Sequence, residues 1–198
     1  MDPIATLHSR VSVPLLAGPE PNEKQLQDIY SAALRAADHA MLRPWRFLVI
    51  RKQGREKLAD LFVKVAQIDD PRVSDEKLAR VRAKPLRAPL LIVAIASLQE
   101  HAKVPHIEQL LSTGAAVQNM LNAAHMSGLG GMWRTGSMAY HETVKEGLGL
   151  SGNERIVGFL YLGQVSGKVK SLPGLAVDDY FREWHDESLQ EEPVQDAR

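Results

Sequence analysis

The chain has 198 residues, 44% of them hydrophobic, with 24 basic and 24 acidic side chains and no cysteine. That composition fits a globular protein rather than a disordered one, and a net charge of zero gives no overall pull toward nucleic acid or an anionic membrane. The absence of cysteine excludes disulfides, thiolate metal sites, iron–sulfur clusters and a cysteine nucleophile.

The N-terminal ten residues lack a basic stretch followed by an apolar one, so no signal peptide is visible. The longest apolar run, 89–96, is too short to span a bilayer. A cytoplasmic protein without membrane or nucleic-acid partners is expected. Residues 3–8 suggest a short helix, and "SRVSVPLLAGPEP" (9–21) interrupts it with three prolines and a glycine. Asn22 with Gln25 three residues on forms a capping-box signal. Leu26, Ile29, Tyr30, Ala33, Leu34 and Ala37 then recur at helical spacing. Arg35 and His39 are expected to close that helix.

"RFLVIR" (46–51) reads as a strand. "GREKLADLFVKVAQ" (54–67) and "SDEKLARVRAK" (74–84) read as helices, the second capped by Ser74. "APLLIVAIAS" (88–97) is continuously apolar, as in a central strand covered on both faces. The segment 105–130 opens on proline and ends on glycine, with small and apolar residues nearly all round between them. It reads as a buried helix that needs a large sheet or a second subunit to cover it. Strands over 130–136 and 155–165 flank a helix over 141–150 that stops at glycine. From Ser171 the chain turns mixed and then polar, with "LAVDDYF" extended and the last residues frayed. With helix preceding strand throughout, the expected fold is α+β: a mixed central sheet of about four to five strands flanked by helices.

"GLGG" (128–131) follows a helix and precedes a strand, the reverse of a dinucleotide-binding turn. Gly128 fits a left-handed helix cap; Gly130 and Gly131 leave room for a flat ligand or another backbone. "HETVK" (141–145) has Lys145 where a zinc-binding helix needs its second histidine, and no other histidine spacing suggests a metal. There is no phosphate-binding loop and no nucleophile elbow. What remains is a set of cations and rings at element ends. Arg10 with Ser12 suits a phosphate, Trp133 with the glycines suits the side of a flat ring, and Arg134 suits its electron-rich edge. An anionic, flat, aromatic ligand fits the set.

The chain resembles the nitroreductase-like flavoproteins, in their short bacterial branch. The likeness rests on "SRVS" (9–12), "RAADHAMLRPWRFLVI" (35–50), "APLLIVAIA" (88–96), "KVPHIEQLLSTGAAVQNMLNAAHMSGLGGMWRTG" (103–136) and "IVGFLYLG" (156–163). The resemblance implies one domain over residues 1–198 and an intertwined homodimer, with FMN shared at the interface and a tail from about residue 171 wrapping the partner. It implies FMN contacts from Arg10, Val11, Ser12, Trp133, Arg134 and Thr135, and from Arg35 and His39 of the other subunit. It assigns Ala123, Ala124, His125, Met126, Ser127 and Gly128 to the nicotinamide cofactor. NADH or NADPH would then reduce FMN, and a small-molecule acceptor such as a nitroaromatic or quinone would reoxidise it. A flavin-binding or sensing relative without turnover is the alternative. Val11 and Leu15 stand where the family commonly has arginine, Ala37 where it has proline and Arg43 where it has glutamine. Lys168 is a candidate to make up the lost charge at Val11.

Overall fold

The structure, a computed structural model, describes residues 2–184. In chain order its elements are α1 (Pro3–Ser9), β1 (Leu16–Ala17), α2 (Glu23–Ala33), β2 (Trp45–Arg51), α3 (Gln53–Asp69), α4 (Asp75–Arg82), β3 (Leu90–Ser97), α5 (His106–Met126), β4 (Gly130–Arg134), α6 (Glu142–Gly147) and β5 (Glu154–Val165). Short 3-10 turns lie at His39–Met41, Pro85–Arg87, Ser137–Ala139 and Val177–Asp179. No helix among the described residues is long and apolar enough to cross a membrane.

The sheet runs β1-β5-β3-β2, with β4 also paired to β5. Every pairing is antiparallel. The α+β class and the strand count stand, but the expected mixed sheet is corrected. Two helices, α3 and α4, separate β2 from β3, and an even number of helical passes returns the chain in the opposite direction. The two-residue β1 is too short to leave a periodic signal.

β3 is buried over Leu90–Ala96, as its unbroken apolar run requires. On one face Leu91, Val93 and Ile95 pack with Phe62 and Val65 of α3 and with Phe159 and Tyr161 of β5. On the other, Leu90, Ile92 and Ala94 pack with α2 and α5 through Leu26, Ile29, Ala116 and Met120. The α2 capping box forms in full, with Asn22 and Gln25 exchanging hydrogen bonds. Pro105 occupies the N-cap of α5 rather than its first turn. Ile107, Leu111 and Met126 of α5 remain exposed, so this one chain does not cover the helix all round.

α2 stops at Ala33, before Arg35 and His39. The N–H of Arg35 reaches Ala32 and that of Ala36 reaches Ala33, tightening the chain into three-residue turns. Leu34, next on the apolar face, is exposed, at the rim of an apolar hollow that Phe47, Val49 and Met120 also line. The loop that follows is strained: Ala40, Met41 and Arg43 have φ of 61°, 52° and 49°. The Arg43 N–H donates to Asp38 Oδ2 at 2.7 Å, so position 43 is set by backbone conformation. Arg43→Gly is expected to change stability by less than about 0.5 kcal/mol, whereas Arg43→Val costs about 1–2 kcal/mol because a β-branched residue resists positive φ. Urea unfolding of both variants checks this.

Glu154 ties three strands. Its carboxylate accepts from Arg46 Nε at 2.5 Å and Nη2 at 2.7 Å, from Ser97 Oγ at 2.8 Å and from the Ser151 N–H at 2.9 Å. Chiefly through the Arg46 bond, its pKa falls from the usual 4.5 to about 2. A depressed carboxylate stabilises the fold fully above the unfolded-state value and loses that contribution as pH falls toward the folded one. Glu154→Gln should therefore cost roughly 2 kcal/mol at pH 7, after discounting for the partly exposed Arg46. It should also flatten the loss of stability between pH 5 and 2, measured as denaturant midpoints across that range.

Candidate functional site

Two adjoining hollows lie along the free edge of β4. The N-terminal segment reaches that edge because Val13 is buried and its N–H donates to the Gly131 carbonyl at 3.0 Å. This holds Arg10, Val11 and Ser12 at the rim of a hollow of about 300 Å³, closed on its far side by Lys170, Ser171, Leu172 and Pro173. Arg10, which lines this hollow, has its Nη1 buried with no hydrogen-bond partner among the described residues. A buried guanidinium donor left unpaired is costly, and the chemistry that relieves it is an anion. Val11 contributes no charge; Lys170, rather than Lys168, supplies the second cation.

Met132 also lines a second hollow, of about 380 Å³, together with Trp133, Arg134, Thr135 and Gly136. Arg134 sits over the Tyr161 ring, 5.7 Å from its centroid. The two residues are diagonal neighbours across the β4–β5 pair, where Met132 faces Tyr161 and Arg134 faces Phe159. Burial raises the Tyr161 pKa, with Arg134 and Arg87 opposing it.

The Trp133 indole leaves by the other face of β4. It packs in the α2–α5 cluster, contacts the space beside Gly114, and donates from Nε1 to the Val157 carbonyl at 3.2 Å. That carbonyl is free because Val157 is the extra residue of an irregularity between Ala94 and Ile95, which pair with Gly158 and Ile156. Gly130 and Gly131 make room for this chain's own Leu16 and Leu121: an added Cβ would meet their side chains at 2.5 and 2.8 Å.

Arg35 and His39 line neither hollow. His39 Nδ1 lies 2.6 Å from Glu108 Oε2 and ties its loop to the start of α5. Thr113 of α5 donates to the Pro44 carbonyl at 3.1 Å, fixing the entrance to β2. The segment Ala123–Gly128 ends α5, also outside both hollows. Ala124 is buried, Ser127 Oγ donates to the Ala123 carbonyl, Gly128 has φ +76°, and His125 Nε2 is 3.1 Å from Ser9 Oγ.

Lys84, Arg87, Tyr161 and Lys170 escaped the sequence reading. Tyr161 sits inside a continuous apolar strand, and the others become wall residues only once the strands are paired.

An antiparallel sheet packed by helices on both faces, with Arg10, Arg134 and Lys170 around two adjoining hollows beside its edge strand, defines an α+β protein with a cationic cleft at the sheet edge. The chain belongs to the nitroreductase family: residues 9–164 match the model described as Nitroreductase family. It is 41% identical over 165 residues to a protein of Escherichia coli K12 provisionally named NAD(P)H nitroreductase YdjA, a match covering 82% of this chain and 88% of that one. A nitroreductase-like family protein from Bacillus cereus has a similar fold, with a TM-score of 0.79 at 22% identity over 93% of this chain and 96% of that chain. So does a Bacteroides fragilis nitroreductase solved with bound FMN, with a TM-score of 0.72 at 17% identity, over 93% of this chain and 100% of that one.

Proposed function

We propose that this protein is an FMN-dependent NAD(P)H oxidoreductase, active as a cytoplasmic homodimer whose whole chain, 1–198, forms one domain. The observation that carries this reading is the buried, unpaired Nη1 of Arg10, a residue that lines the hollow adjoining the Arg134 hollow at Met132. Arg10, Ser12 and Lys170 would hold the phosphate. Met132 would lie along the ribityl chain, and Arg134 with Thr135 would meet the ring. Arg134 makes no ion pair among the described residues, so its charge remains available to the electron-rich edge of the ring. The Trp133 side chain would act from behind, fixing β4 through Val157.

FMN supplies the hydride chemistry, taking a hydride from NADH or NADPH and passing electrons to a nitroaromatic, quinone or similar acceptor. The chain's own task is to bind and orient it. Arg35 and His39 would serve the site of the other subunit, which suits their absence from both hollows of their own chain. Ala123–Gly128 would face the nicotinamide. Dimerisation is supported by the exposed Ile107, Leu111 and Met126 of α5 and by the exposed tail side chains Leu175, Tyr180, Phe181 and Trp184.

Stopped-flow mixing of the FMN-loaded protein with NADH or NADPH under anaerobic conditions tests the reading. Bleaching well above the rate for free FMN is expected. Bound flavin with no such bleaching would instead define a flavin-binding relative without turnover, a reading that the uncharged Val11 favours.

A further inference from the structure

The β4-edge hollow has a far wall that FMN binding does not account for. Lys84 and Arg87 enter it from the turn before β3, and with Arg134 they set three cations around one space; none of its twelve lining residues is acidic. Neither Lys84 nor Arg87 forms an ion pair among the described residues. Elsewhere in this electrically neutral chain, Arg46, Arg51 and Arg82 each lie against a carboxylate.

Tyr161 adds an independent observation. It lines the same hollow; its ring is packed, the residue being 4% exposed, and its hydroxyl, which makes no hydrogen bond within the described residues and is not among their buried unpaired atoms, opens on the hollow. Because burial raises its pKa, it stays protonated at neutral pH and acts as a donor. Phe62 and Phe159, edge to face with centroids 5.5 Å apart, complete an apolar flank. Donors on one side, rings on the other and no carboxylate describe a receptor for a small planar anion.

We propose that this end of the hollow is an acceptor subsite selecting small aromatic substrates that carry a carboxylate, which Lys84, Arg87 and the Tyr161 hydroxyl receive. The inference rests on the reading of the site as an FMN-dependent reductase. It gives that reductase a substrate class: nitroaromatic or quinonoid carboxylates over their neutral counterparts.

The test compares 4-nitrobenzoate with its neutral methyl ester as acceptors for the FMN-loaded protein. In each case the nitro group takes two electrons and two protons to give the nitroso compound and water, while NAD(P)H is oxidised to NAD(P)+. A preference for the acid in kcat/KM on the order of tenfold is expected, the low end for hydrogen bonds to a charged group at a partly exposed site. The pair Lys84→Gln and Arg87→Gln should abolish that preference, and Lys84→Arg with Arg87→Lys should keep it. Neither pair should alter FMN affinity or the rate of bleaching by NAD(P)H. Equal or better use of the ester by the wild type, or a preference that survives the glutamine pair, overturns the proposal. Calorimetry with benzoate, which is not reduced, reads the subsite separately from turnover. Binding that is lost in the glutamine pair supports it even if FMN reduction fails, and no binding to the wild type overturns it.

Discussion

Arg10→Ala should weaken FMN binding by about 10- to 100-fold, the range for a charge-assisted hydrogen bond to phosphate lost from a buried site. One atom of Arg10 sets this expectation. Arg10 Nη1 is out of water and without a partner, so the ligand-free fold carries its desolvation cost, and a phosphate oxygen would relieve it. Removing the guanidinium therefore has opposite effects on two measurements. FMN affinity, followed by fluorescence titration, falls. The melting temperature of the ligand-free protein stays level or rises, because an uncompensated buried donor has gone. Lys170→Ala, on the exposed side of the hollow, should weaken FMN only a few-fold. An Arg10→Ala protein that keeps wild-type affinity, or that loses stability without FMN, would assign Arg10 to the scaffold.

Gly158→Ala should be the most damaging single methyl group in the sheet, at about 3 kcal/mol or more. A Cβ there would lie 2.1 Å from Trp133 Nε1, 2.6 Å from its Cδ1 and 2.9 Å from the Arg134 carbonyl oxygen. None of these can step aside freely. The indole is tethered to Val157 at 3.2 Å and packed beside Gly114, and the carbonyl belongs to the strand that presents Arg134. The insult should thus reach FMN binding as well as stability. Trp133→Ala empties the contested space, so the double variant should be less destabilised than the sum of its parts. Gly152→Ala, where nothing lies within 4 Å, is the control and should be near neutral. Guanidinium unfolding of the four proteins decides the matter, and a Gly158→Ala protein as stable as the control would contradict the packing.

Local signals carried much of the fold. The capping box of α2, the Ser74 cap and the buried run of β3 are decided within a few residues, and each appears where the sequence puts it. Strand direction is not a local property, and the sheet proved antiparallel throughout. Leu34 and Ala37 continue the apolar spacing beyond the end of α2, yet the helix stops at Ala33 and Leu34 is exposed. Arg43 has a positive φ that no composition rule reveals, and nothing in the structure explains why arginine rather than glutamine stands there.

The site divides in the same way. Arg10, Ser12, Arg134 and Thr135 could be singled out by residue type at element ends, and the structure brings them to adjoining hollows along β4. Gly130 and Gly131 attracted attention as ligand space and instead accommodate Leu16 and Leu121. Tyr161, Lys84 and Arg87 become neighbours of Arg134 only through the pairing of β4 with β5 and the turn before β3. Pairing partners tens of residues apart leave no mark in a local window.

The central claim is that the β4 edge holds FMN, and the visible absorption spectrum of the purified protein tests it most directly, taken after gel filtration with and without added FMN. The predicted result is a yellow protein whose flavin band is shifted and structured relative to free FMN and elutes with the protein. A protein that stays colourless and lets all added FMN pass into the small-molecule fractions would contradict it.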